Sequence, residues 1–227
     1  MNAPPFTIIL DEPCSRLRDA VSAIAPVFVF KSTHGFFSSP QQAVGELAEQ
    51  LALAGLEPPF LYVAASFGGY AALTYASLLP DSLVGLVLVD ASHPQQTGKA
   101  LAAIPAEIAD TPPMVRFITK LKGFGPVWNE SCAAVAAIKS VGSIPLIVLA
   151  AGHPDMPDEM PDGPRQALID GWHDLQRQHA ALSTRGQIRI VPEAGHDLVK
   201  LAPEAVLAAI RDLARTSFPR VSCEVAT

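Results

Sequence analysis

Two residues of this chain stand in surroundings suited to nucleophilic chemistry. Ser66 lies in the run Leu61-Tyr62-Val63-Ala64-Ala65-Ser66-Phe67-Gly68-Gly69-Tyr70, where an apolar strand pattern passes straight into an Ala-rich helical one. A serine at such a junction is turned out of the sheet on a sharp bend. Small residues are needed two places before and after it, because strand and helix approach closely there. Gly68 fills the later place; Ala64, one methyl larger than the usual glycine, fills the earlier one. The helix starting behind Ser66 directs its N-terminal N–H groups and positive dipole end at the hydroxyl. The Phe67 N–H is therefore a candidate donor to a developing oxyanion. The second residue is His196, which closes the run Ile188-Arg189-Ile190-Val191-Pro192-Glu193-Ala194-Gly195-His196, a strand pattern followed by a turn. Imidazole, with an ordinary pKa of about 6.5, can take the hydroxyl proton and return it. The pair reads as nucleophile and general base; the plainer reading of Ser66 is a helix-capping residue.

The elements that must position these groups are legible as hydrophobic pattern. Five short apolar runs, at 6–10, 27–30, 60–64, 84–89 and 146–150, are continuous rather than alternating, as strands covered on both faces require. A sixth, at 188–191, alternates with Arg189 and reads as a strand nearer the sheet edge. Helical patterns occupy 41–54, 68–79, 165–182 and 203–214. Strand and helix in repetition predict a mostly parallel α/β sheet of about six strands flanked by helices. Between residues 95 and 142 the rhythm breaks, with Gly98, Pro105, Pro112, Pro113, Gly123, Gly125 and Pro126 cutting the segment into pieces. It reads as a helical cap inserted over the strand ends, within a single domain spanning 1–227.

Bulk properties exclude several classes. The 227 residues are 49% hydrophobic and 17% charged, with net charge −6 and no basic stripe, which argues against a nucleic-acid partner. No apolar run approaches the roughly 18 residues of a membrane span. The start, Met1-Asn2-Ala3-Pro4-Pro5, has no leader pattern. The odd, widely spaced Cys14, Cys132 and Cys223 fit a reducing cytoplasm rather than a disulfide framework or zinc site. His153 beside Asp155 lacks further ligands at useful spacing, so neither a metal nor another cofactor is expected. His34, His93, His173 and His179 read as surface or structural residues.

The order of these motifs resembles the α/β-hydrolase superfamily over nearly the whole chain. The resemblance rests on Ala64-Ala65-Ser66-Phe67-Gly68-Gly69, Leu86-Val87-Leu88-Val89-Asp90, Ile144-Pro145-Leu146-Ile147-Val148-Leu149 and Gly195-His196. It looks most like bacterial esterase-like members with a short cap. It implies hydrolysis of an ester, thioester or lactone through an acyl-serine intermediate. Two carboxylates at strand ends compete to orient His196. Asp155, in the Gly-x-x-Asp run Gly152-His153-Pro154-Asp155, has the commoner family position and is favoured; Asp90 is the alternative.

The chain departs from the family where a second oxyanion donor belongs. Members usually carry glycines after the first core strand, whereas here Asp11-Glu12-Pro13-Cys14-Ser15 follows. Pro13 has no N–H, and two acids stand where an anion must be stabilised. The Cys14 N–H is the remaining candidate. His34-Gly35 follows the next strand and reads as a turn. Ile104, Ile108, Phe117, Ile118, Leu121, Phe124 and Trp128 read as lining an acyl pocket or as the buried faces of cap helices. A sheet trimmed at its start leaves an edge suited to a homodimer. Three functions follow: a small-molecule serine hydrolase, which leads; an enzyme of acyl transfer, cyclisation or thioester release; and a non-catalytic binding protein that keeps the fold.

Overall fold

The computed structural model describes residues 5–33, 38–123 and 125–217. Six strands form one parallel sheet, in the order β2-β1-β3-β4-β5-β6. They are β1 (Thr7–Asp11), β2 (Val27–Phe30), β3 (Phe60–Ala65), β4 (Leu83–Val89), β5 (Leu146–His153) and β6 (Gly186–Gly195). Parallel pairing needs a crossover after each strand, and helices supply it on both faces. In chain order these are α1 (Arg18–Ser22), α2 (Pro40–Leu53), α3 (Gly68–Leu78), α4 (Gln96–Ala102), α5 (Ala106–Ala109), α6 (Pro112–Lys122), α7 (Gly125–Ala136), α8 (Asp162–Ala181), α9 (Leu198–Leu201) and α10 (Pro203–Ser217).

The continuous apolar strands feed two cores. Side chains alternate across the sheet, so Ile9, Tyr62, Leu88 and Val148 enter one core with α2 and α3. Ile8, Leu61, Val87 and Ile147 enter the other with α10. Helix α2 starts at a reciprocal cap: Ser39 accepts from the Gln42 N–H, and Gln42 accepts from the Ser39 N–H. Helices α4, α5 and α6, between β4 and β5, share a small apolar cluster in which Ala100 and Met114 meet Met160 and Leu168, while Val135 of α7 joins the first core.

The expected α/β architecture is present, with differences in detail. β6 runs ten residues rather than four and pairs along β5 as far as Gly195, which carries the chain up to His196. A short 3-10 turn at Pro13–Leu17 continues into α1 between β1 and β2. That stretch is too short and too mixed in polarity to show a helical period. The expectations for His34-Gly35, Phe124 and Cys223 fall outside the described residues. Among the described residues, no helix is long and apolar enough to cross a membrane.

Candidate active site

Strand β3 delivers Ser66 at the carboxyl edge of the sheet. Its backbone is bent into the left-handed region, with φ of 51°. A non-glycine residue there stores about 1–3 kcal/mol of strain, so its surroundings must over-determine it. They do: the Ser66 N–H donates to Val89 O at 3.0 Å, and Ser66 O accepts from the Ser92 N–H at 2.9 Å. Of the two small residues expected around the serine, Gly68 abuts Asp11, whose Oδ2 occupies the place of its missing side chain, and Ala64 is buried in the sheet. The next residue, Gly69, is also confined: a Cβ there would stand 2.6 Å from the Ala91 methyl.

His196 follows β6 and lies over the elbow. Its Nε2 is 3.0 Å from Ser66 Oγ, and its Nδ1 is 2.7 Å from Asp90 Oδ2. With Nδ1 protonated toward Asp90, Nε2 is the acceptor for the serine hydroxyl. The hydrogen bond to Asp90 is the main reason that the imidazole pKa is raised above 6.5; partial burial works against it. Asp90 is fully buried, and its backbone also has a positive φ, 44°. Its other oxygen, Oδ1, accepts from the Ala151 N–H and from Trp172 Nε1, both at 2.8 Å. Three donors therefore surround this carboxylate, as a buried anion requires.

This arrangement corrects the choice of acid. Asp155 is exposed and forms an ion pair with Lys120 at 3.6 Å; the place beside His196 Nδ1 is taken by Asp90. β5 extends to His153, and Pro154 then leads the chain outward, so Asp155 is carried past the histidine to the rim. The expectation for Cys14 is corrected as well. Its N–H donates to Asp11 Oδ1 at 3.0 Å and so faces that carboxylate. Phe67 stands at the start of α3, directly after Ser66, as expected.

Sequence reasoning missed the contribution of α8. Four of its side chains brace the strand-end segments that carry Asp90 and its neighbours. Trp172 donates to Asp90, and Gln176 Nε2 donates to Ala91 O at 2.8 Å. His179 Nε2 lies 2.9 Å from Ser92 O, and His173 Nε2 lies 2.9 Å from Ala151 O. The histidines were expected to be surface or structural; both are buried. Burial lowers His179 to about 4, and burial together with neighbouring His179 lowers His93 to about 3. The spacing 172, 173, 176, 179 puts these groups on one helix face, a signal that polar residues on a core-facing stripe could have given.

A cavity of about 290 Å³ opens at Ser66 and His196 beneath α4, α6 and α7. Its apolar walls include Phe117, Leu121, Trp128, Leu168 and Trp172. Trp128 also stacks on Phe67 with ring centres 5.5 Å apart. Ile104, Ile108 and Ile118 belong instead to the apolar cluster of the inserted helices. Among the described residues, no group of three or more His, Cys, Asp or Glu is placed to hold a metal ion.

A parallel sheet that presents a serine on a strand–helix elbow, with histidine and aspartate in hydrogen-bonded line, defines a recognised class of α/β protein. The chain belongs to the alpha/beta hydrolase family, whose sequence model matches residues 14–209. Membership supports a hydrolase as the general class of enzyme. No curated protein matches the chain. Among solved structures, a thermophilic esterase from Thermogutta terrifontis is similar at 17% identity and TM-score 0.56, covering 96% of this chain and 92% of that one. MenH from S. aureus is similar at 10% identity and TM-score 0.56, with 96% of each chain covered. Est816, described as an N-acyl homoserine lactone degrading enzyme, is similar at 13% identity and TM-score 0.55, covering 93% of each. At these identities the likeness is one of fold.

Proposed function

We propose that the protein is a serine hydrolase of small acyl substrates, acting through an acyl-serine intermediate. The observation that carries this reading is the line Ser66 Oγ, His196 and Asp90, with gaps of 3.0 and 2.7 Å. Ser66 Oγ attacks the substrate carbonyl while its proton passes to His196 Nε2. Asp90 holds the tautomer and stabilises the imidazolium that forms. The Phe67 N–H and the start of α3 steady the oxyanion. Collapse of the tetrahedral intermediate expels the leaving group, which takes the proton from His196. Water then repeats the sequence, and acid and free serine are released.

Helices α4 to α7, in the segment 95–142, act as a cap over the acyl side. The cavity below them, at about 290 Å³ and walled by aromatic and leucine side chains, suits a short to medium apolar acyl group. Ester, thioester and lactone carbonyls all fit this chemistry.

The test is reaction with a fluorophosphonate probe and mapping of the adduct by mass spectrometry. The expected result is one adduct on Ser66, lost in Ser66→Ala and slowed in His196→Ala. A folded protein that takes no adduct, even from a small sulfonyl fluoride, would refute the reading.

A further inference from the structure

Asp11 is a buried acid that the scheme above does not use, although it belongs to the elbow. It ends β1 and is only 4% exposed. Oδ2 accepts from the N–H of Ala65, the residue before Ser66, at 2.6 Å, and it occupies the space that a Gly68 side chain would need. Oδ1 accepts from the Cys14 N–H. The carboxyl thus clasps the chain on both sides of the nucleophile, and Asp11 borders a cavity shared with Ser66, Phe67 and His196.

We infer that the ionisation of Asp11 sets how much negative charge the elbow accepts: the neutral acid permits an oxyanion at Ser66, and the carboxylate resists it. The inference rests on the serine-hydrolase reading. Like charges repel strongly in a partly dry site, and the loop after β1 is where many enzymes of this fold place an oxyanion donor.

Hydrogen bonds from the Ala65 and Cys14 N–H groups and from the Cys14 side chain favour the charged form of Asp11, but no cation is bonded to it among the described residues. Glu12 flanks it on its own segment, and Tyr62 faces it from β3. Tyr70, from α3, borders the same cavity. Asp197, beyond β6, also borders the same cavity. The neighbouring cations are engaged elsewhere, Arg16 with Asp197 at 3.3 Å and Lys31 with Glu12 at 2.8 Å. Among the described residues, His196 is the remaining cation-forming group at that cavity, and its Nδ1 is bonded to Asp90. Burial accordingly raises Asp11 from 3.8 to about 6. At pH 8, above that value, Asp11 is ionised. Oxyanion formation then draws a proton from solvent onto Asp11, by linkage.

Phenylboronic acid tests this in the unaltered protein, because its adduct on Ser66 is tetrahedral and negatively charged. The carboxyl carbon of Asp11 is titrated by NMR with and without the boronate. The expected result is a rise of about one pKa unit in the adduct, a tenfold change in proton affinity. An adduct that leaves the Asp11 titration unmoved overturns the inference alone. Failure of any adduct to form overturns the proposed function, and the inference with it. In parallel, Asp11→Asn is expected to hydrolyse p-nitrophenyl acetate roughly tenfold faster at pH 8. Its pH profile should climb to one plateau, whereas the wild type passes a maximum and settles lower. Superimposable profiles from a folded variant would count against the inference; if the variant fails to fold, the boronate titration decides.

Discussion

Strand β3, which carries Ser66, runs between β1 and β4, and each of those neighbours delivers an aspartate at its carboxyl end. Asp90 and Asp11 are both buried, and both hold the backbone of an adjacent strand end. Their surroundings differ. Asp90 has two N–H donors on one oxygen and an imidazole on the other. Asp11 has two backbone N–H donors and, among the described residues, no bonded cation. On the proposed reading the same side chain at the same kind of site has two jobs. Beside the histidine an imidazole compensates the charge; beside Ser66 no bonded cation does so among the described residues. Partners, more than burial, decide what a buried acid does.

The largest effect that would break this comparison is loss of the Asp90 charge. Asp90→Asn is expected to lower kcat by about 10⁴-fold, because the imidazole is then held in the wrong tautomer. Asp155→Asn is expected to stay within about twofold, since exposed ion pairs contribute little. Steady-state kinetics on p-nitrophenyl acetate decide between them, and a crippled Asp155→Asn would reverse the assignment.

A smaller change sharpens the comparison by stripping one donor from Asp90. Trp172→Phe keeps the aromatic wall and removes the N–H at 2.8 Å. We expect kcat to fall about tenfold, the low end for loss of a group that orients an active-site ligand, with KM little changed. A less-satisfied carboxylate holds a proton on His196 more firmly, so the acidic limb of the rate profile should move to higher pH. An unmoved limb would mean that Trp172 only packs.

The smallest expected effect is on stability against pH. Asp11 has a folded pKa of about 6 against 3.8. Its contribution is fully present below 3.8 and is lost as pH rises through about 6. His93 and His179, lowered from 6.5 to about 3 and about 4, act in the opposite sense. Their contribution is present above 6.5 and is lost as pH falls through those lower values. Asp11→Asn removes the opposing contribution, so its Tm should drop more steeply than that of the wild type between pH 6.5 and 4, by about 2–4 °C. Parallel Tm curves from differential scanning calorimetry would argue against a raised Asp11.

The sequence carried the sheet and the elbow at Ser66 clearly, for a local reason. Strands buried on both faces read as continuous apolar runs, and the elbow at Ser66 needs small neighbours that are visible in the sequence. What lay hidden depends on contacts made across long separations. Asp90 meets Ala151, Trp172 and His196 at separations of 61, 82 and 106 residues. No spacing rule on one strand could choose it over Asp155. The Gly-x-x-Asp run looked suitable because Pro154 marks a turn there but not its direction, which follows from where β5 ends against β6. Asp11 was recognised as an acid in an awkward place, but that it clasps Ala65 and fills the space beside Gly68 follows from the pairing of β1 with β3.

The two ends of the inserted helical segment are fastened to the same place. His179 holds Ser92 O where the segment leaves the sheet. Where it returns, the Val141 N–H donates to Leu182 O and Ser183 Oγ donates to Ile144 O. The C-terminal end of α8 is thus a common anchor for exit and re-entry, while Trp172 and Gln176 on the same helix hold Asp90 and Ala91. Only part of the segment is separable on this arrangement: α4 to α6 pack in a cluster of their own with Met160 and Leu168, whereas α7 is tied to the elbow through Trp128 on Phe67 and to the main core through Val135. If the proposed function holds, α4 to α6 are the part that evolution or a protein engineer can rewrite, and α7 is the part that must stay.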